Sequence, residues 1–270
     1  MRPLDCQRCA AVPSLTPLVR RLLLVWGVLW LLSFLAYLAD VDAVRWLQLD
    51  PALLHGEWRS LPGVIGYAFV HNPTWVWHVA LNALVLAWFG PEAEVLFPGR
   101  RFVRLFLIAT LAGAAVHLLL SLAPLPWFQA PVVGGSGFVM AVIGVNAAVE
   151  PHRRVRLLVL ECSMRSFFLG CMVLDALGFL ASLAGKGGSV ASDVHLAGAV
   201  SGWLYARGVS GWLERLAERR RRRGASAERE RQRAEEAELD RILGKISRGG
   251  LPSLSGDERR FLERRARRRG

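Results

Sequence analysis

Gly134-Gly135-Ser136-Gly137 opens an apolar run, VVGGSGFVMAVIG, at residues 132–144. Glycine is expensive inside a helix, and a serine hydroxyl in hydrocarbon needs a partner. A serine becomes a nucleophile when a histidine within hydrogen-bond reach can take its proton. His195 meets that need in the stretch SDVHLAGAVSGWLY, where Gly198 and Gly202 follow at three- and four-residue spacing. His78 and Asn82 stand four apart in TWVWHVALNALVLAWFG, hence on one helical face. Such donors, with a backbone N–H near Ser136, suit the oxygen of a tetrahedral intermediate. Taken singly, each residue has a plainer explanation. A lone intramembrane serine bonds back to its own helix, and small-xxx-small stripes pack helices.

The elements that must position these residues are membrane spans. The chain has 270 residues, of which 53% are hydrophobic, yet its formal net charge is +12. The two properties are segregated: residues 22–209 are mostly apolar, and 214–270 carry runs of Arg and Glu. With a mean hydropathy of +0.32, this reads as a membrane body with a basic soluble tail. Six spans are predicted at about 22–39, 75–92, 102–122, 132–149, 166–184 and 193–210. The first starts too late for a secretory signal. Arg20 and Arg21, Arg100 to Arg104, Arg153 to Arg165 and the Arg219–Arg223 run alternate with loops poor in positive charge. The positive-inside rule therefore puts both termini in the cytoplasm. Spans 2, 4 and 6 then run in one direction, and their starts gather at the outer surface. His78, Asn82, Ser136 and His195 all fall within about two turns of it. If the stripe Gly137, Ala141, Gly144, Ala148 faces His195, Gly198, Gly202, then Ser136 and His195 are pressed together. No internal repeats or charged pathway support a transporter or channel.

These residues resemble the rhomboid family of intramembrane serine proteases, across roughly residues 20–210. The family's GxSG motif matches Gly134 to Gly137, its span-6 histidine matches His195, and its HxxxN matches His78 and Asn82. Trp58-Arg59 matches its WR pair, and Gly90 with Glu94 looks like its span-2 ending. The resemblance implies an all-α polytopic membrane protein, a six-helix bundle with a cytoplasmic helical tail. It implies a Ser136–His195 dyad, with an oxyanion hole from His78, Asn82 and the Ser136 amide, and with Gly134 and Gly135 beside it. Substrates would be single-span or polytopic membrane proteins cut near the outer leaflet, with no cofactor, no metal and no nucleic acid. Span 5 would be a lateral gate beside span 2, and the location a bacterial inner membrane. The alternative is a non-catalytic relative that binds transmembrane helices; the presence of all four polar residues argues against it. Three positions depart from the pattern: Met140 replaces an aromatic, Val194 replaces an alanine, and His71 lies seven residues before His78.

Other polar residues are expected to be structural. Asp175 and Asn146 read as internally bonded packing residues, His117 as interfacial and Glu94 as a structural group at the end of span 2. With Asp193 read as solvent-facing, no carboxylate is expected to orient His195. Residues 1–19 form an N-terminal segment in which Cys6 and Cys9 read as bystander thiols rather than half of a zinc site. Loop 40–74 is expected at the outer interface, with Trp46 and Trp58 at headgroup level. In the tail, residues 211–270, Arg219–Arg223 is expected to meet anionic headgroups. Leu239, Ile242, Leu243 and Ile246 form one apolar stripe, and Ser255 with Glu258 a capping box, which predicts two amphipathic helices packed as a hairpin. A docking partner for the tail and a plain solvated extension are equally consistent with this pattern.

Overall fold

The structure, a computed structural model, describes residues 14–157, 160–186, 190–209, 236–247, 250 and 254–267. Cys6, Cys9 and the Arg219–Arg223 run lie outside them. The chain divides into two units, one up to Val209 and one from Ser210.

Among the described residues, the first unit has six apolar helices of thirteen residues or more. These are α1 (Pro17–Leu38), α2 (Val76–Leu96), α3 (Arg100–Leu120), α4 (Ser136–Val149), α5 (Met164–Leu183) and α6 (Ser192–Leu204). Among the described residues, α1, α2, α3 and α5 are long and apolar enough to cross a membrane. Leu24, Val28 and Leu35 on α1, and Leu174, Leu177 and Leu180 on α5, are exposed, as surfaces facing hydrocarbon are. α4 is the centre of the bundle, with eleven of its fourteen residues buried. Phe138 on α4 meets the edges of Phe102 and Phe106 from α3, at centroid distances of 5.5 and 5.0 Å.

Two predicted spans are shorter than expected. α4 starts at Ser136 rather than near 132, because Val132 is paired with Leu49 through both backbone N–H···O bonds, each 2.9 Å. That pairing takes Val132 out of the helix. α6 ends at Leu204 and passes into a wider turn, Tyr205–Val209, which Gly208 closes at φ 133°. A short antiparallel hairpin also interrupts the all-helical pattern: β1 (Arg154–Leu157) pairs with β2 (Leu160–Ser163) between α4 and α5.

At the arginine-rich end, Glu94 does for α1 what its N-cap Thr16 does not. The carboxylate accepts from Thr16 Oγ1 (2.5 Å), Leu18 N (3.0 Å) and Val19 N (2.9 Å). An anion on the first amides of a helix satisfies orphan donors and faces the positive end of the dipole. Glu94 thus ties the end of α2 to the start of α1, the structural role expected of it. Arg153 forms an ion pair with Glu92 at the same end.

The second unit contains α7 (residues 236–247) and α8 (Gly256–Arg267). The capping box is present: Glu258 N donates to Ser255 Oγ (3.3 Å), and Ser255 N donates to Glu258 Oε2 (2.7 Å). Glu258 also accepts from Arg241 and Lys245 of α7, both at 2.8 Å, while Ile242 is fully buried. These bonds hold the Glu258 carboxyl down at about 2, with Lys245 the largest influence, then the Ser255 amide and Arg241. The two helices do pack on each other.

Candidate active site

Glycine decides how closely α4 and α6 approach. A Cβ on Gly198 would stand 2.0 Å from the Gly137 carbonyl oxygen, and one on Gly202 would stand 2.1 Å from that of Ala141. From the α4 side, a Cβ on Gly144 would meet Ala199 O at 2.5 Å. The two small-residue stripes therefore face each other, as their spacing predicts. Gly137 lies against Val194, with a built Cβ 3.3 Å from the Val194 carbonyl oxygen. Ser136 and His195 are the immediate chain neighbours of that contact.

His78 flanks the serine from the other side. The same point above Gly134 that lies 2.6 Å from His78 Nε2 lies 3.7 Å from Ser136 Oγ. Gly134 has φ +120°, a conformation only glycine adopts without strain, and its small size admits the His78 ring. Asn82 is buried one turn below His78 and donates one N–H to the His78 carbonyl (2.9 Å). A carboxamide has two N–H groups, so a second remains for a ligand.

The backbone donors are more restricted than the sequence suggests. Gly134 N donates to Tyr67 O (2.8 Å), and Gly135 N donates to His71 Nε2 (3.4 Å). Their contribution is therefore shape, and the Ser136 amide, at the head of α4 without an intrahelical acceptor, is the donor free to act. His71 is fully buried between Trp26 and His78, with both ring centroids at 5.1 Å. Burial, with His78 beside it, pushes His71 down to about 3, which keeps it a neutral acceptor for Gly135. Trp26, which sequence reasoning overlooked, closes the back of the site. Its indole lies 2.1 Å from a Cβ built on Gly135 and donates to Ala68 O (2.9 Å).

Three expectations are corrected. Asp193 is buried, not solvent-facing, and pairs with His117 Nδ1 at 2.8 Å, while His117 Nε2 lies 3.2 Å from Ala130 O. His117 is accordingly a buried brace rather than an interfacial residue. Asp175, expected only to pack, lies with Oδ1 2.8 Å from His195 Nδ1. A carboxylate does contact His195, contrary to the reading of the sequence. Asn146 behaves as expected, donating to Val142 O and Phe89 O. Met140 is buried in the core. Trp58 is 73% exposed on the turn Trp58–Ser60, and among the described residues no hydrogen bond or ring contact joins it or Arg59 to Ser136.

Ser136 thus heads α4 with the His78 ring near it and the His195 turn of α6 packed on its neighbour Gly137, and among the described residues no hydrogen bond joins Ser136 to His195. The Rhomboid domain family matches residues 55–212, and a family of unknown function matches residues 228–268. The chain is also similar to Rhomboid protein 1, mitochondrial, of Saccharomyces cerevisiae: 28% identical over 178 residues, covering 65% of this chain and 50% of the relative. The chain spans about half the length of the curated relative it matches.

Proposed function

The chain is an integral membrane protein of the rhomboid family, and from that premise we propose that it is an intramembrane serine endopeptidase. The observation that carries this reading is the seating of Gly198 on Gly137, which brings the start of α4 and the His195 turn of α6 to one place. Ser136 Oγ attacks a substrate carbonyl carbon while His195 Nε2 takes its proton. The oxyanion accepts from the Ser136 amide, His78 and the second N–H of Asn82. Collapse of the intermediate breaks the C–N bond as His195 returns the proton to the leaving amine. Water then attacks the acyl-serine with His195 again as base, releasing the acid and restoring Ser136.

The substrate is a transmembrane segment, single-span or from a polytopic protein, that unwinds near its outer end. A helix hides its carbonyls, so cleavage needs helix-breaking residues there. Among the described spans α5 is the least buried, 6% against 44% for α2, which supports access on the α2–α5 side. On this reading the site faces the outer leaflet of a bacterial inner membrane, both termini are cytoplasmic, and Arg219–Arg223 meets anionic headgroups.

The test is labelling of the purified full chain with a serine-reactive phosphonate, beside cleavage of a single-span substrate in liposomes. Both should occur in the wild type and be lost in Ser136→Ala and His195→Ala. Neither labelling nor cleavage in the folded wild type would leave a rhomboid-like protein that binds transmembrane helices without cutting them.

A further inference from the structure

Asp175 is the only acidic residue in α5 and the only charged one in its apolar middle, residues 167–181. Its neighbours Val173, Leu174 and Leu177 point outward and are 58–72% exposed, whereas the Asp175 side chain is 12% exposed and turned inward. A carboxylate in such a helix is costly unless something specific receives it. What receives it is His195 Nδ1, at 2.8 Å, itself in a side chain only 18% exposed.

The contact is set by helix register and is not a chance approach of a long side chain. A Cβ on Gly178 would meet Ser192 Oγ at 2.5 Å, so α5 lies close against the first turn of α6. The two helices are antiparallel, and three residues back along α5 is Asp175, as three residues on along α6 is His195. Gly178 with Ser192 and Asp175 with His195 are thus successive rungs of one packed pair. Ser182, a turn further along the same stripe, is buried and donates to Gly178 O (3.0 Å).

We infer that Asp175 is a positioning residue for His195, fixing the ring that serves as base in the proposed mechanism. The inference rests on the proposed protease function. A carboxylate only accepts, so Nδ1 carries the hydrogen and Nε2 presents its lone pair to Ser136. The same carboxylate stabilises the imidazolium that forms when Ser136 gives up its proton. Without it, the proton can sit on Nε2, and the ring is then a donor where an acceptor is needed.

The test compares wild type, Asp175→Asn, Asp175→Glu and Ser136→Ala as full-length protein in liposomes. It measures cleavage kinetics on one single-span substrate and the His195 tautomer by 15N NMR. Asp175→Asn should lower kcat by on the order of 10²–10⁴ with KM nearly unchanged. It should also lose the Nδ1–H tautomer that the wild type shows, and Asp175→Glu should restore part of both. A purely structural Asp175 would lower the folded fraction while leaving the kcat of folded protein and the tautomer unchanged. That result overturns the inference, as does a wild-type kcat in Asp175→Asn while Ser136→Ala is dead. If the wild type neither labels nor cleaves, the protease reading fails, and the tautomer alone judges Asp175: unchanged in Asp175→Asn, it refutes the positioning role as well. Should Asp175→Asn not fold, Asp175→Glu decides by the same two readouts.

Discussion

Replacing Gly198 by alanine puts a methyl carbon where none fits. The built Cβ lies 2.0 Å from the Gly137 carbonyl oxygen and 2.7 Å from its carbon, against ordinary contact at 3.4 Å or more. The neighbour is backbone, which cannot rotate away, so α6 must retreat from α4 by more than 1 Å at that level. Overpacking of this kind costs about 1–3 kcal/mol of stability. The retreat occurs one turn from His195 and one residue from Ser136, and a misplacement of about 1 Å at reacting atoms costs on the order of 10² in rate. Gly202→Ala meets Ala141 O at a similar distance, but two turns from His195. It should lose comparable stability and less turnover, because α6 can pivot about its distant half. Gly170→Ala on α5 meets nothing within 4 Å and should be neutral or stabilising by up to about 1 kcal/mol. Thermal unfolding together with turnover in liposomes separates the three. Wild-type turnover in Gly198→Ala, or a Gly202→Ala slower than Gly198→Ala at equal stability, would refute this steric account.

Three further outcomes follow from other contacts. Glu94→Gln keeps an acceptor at the start of α1 but loses its charge, and should lower stability by about 1–2 kcal/mol in thermal unfolding; phosphonate labelling of Ser136 in the folded fraction should not change. His71→Leu leaves the buried Gly135 N–H without its acceptor, which should cost about 1–3 kcal/mol and slow labelling, since Gly135 adjoins Ser136. In the tail, Glu258 is held well below its ordinary value of 4.5, down to about 2. A depressed carboxyl stabilises the fold fully above its unfolded value and loses that contribution as pH falls through the folded one. Protection factors of tail amides in the full chain, taken against the intrinsic exchange rate at each pH, should therefore hold constant above pH 4.5 and fall from there towards pH 2, and Glu258→Gln should remove that dependence.

Much of the site was legible because it is periodic. Gly137, Ala141 and Gly144 on one helix, with Gly198 and Gly202 on another, state their packing in their spacing, and the facing backbones obey it. The capping box at Ser255 and Glu258 is equally local. The start of α4 was not legible, because Val132 and Val133 continue the apolar run and only the distant partner Leu49 takes Val132 out of the helix. Asp175 was missed for a related reason. On a sequence it is one carboxylate in an apolar helix, twenty residues from His195 and on another span; only the α5–α6 register makes them neighbours. Asp193 misled for the opposite reason, since nearness to His195 in sequence suggested a solvated first turn, whereas its partner is His117 on α3. Tertiary pairings of this kind carry no periodic signal.

Depth and looseness meet at this site. Fourteen residues at about 1.5 Å each give α4 about 21 Å, some 9 Å short of the roughly 30 Å of hydrocarbon. If the shortfall lies at its start, Ser136 heads α4 beneath the outer surface, as the proposed function requires. α4 and α6 are locked by backbone contacts that no side chain can loosen, which suits groups that must hold sub-ångström alignment. α5 is held by few buried side chains, yet it carries the carboxylate bonded to His195. If substrate arrives by displacing α5, the Asp175–His195 bond must break or travel as the helix moves. A small phosphonate needs no such displacement, whereas a transmembrane segment does. Variants that pin α5 to α2 should therefore keep phosphonate labelling of Ser136 and lose cleavage, while loss of both together would place the access route elsewhere.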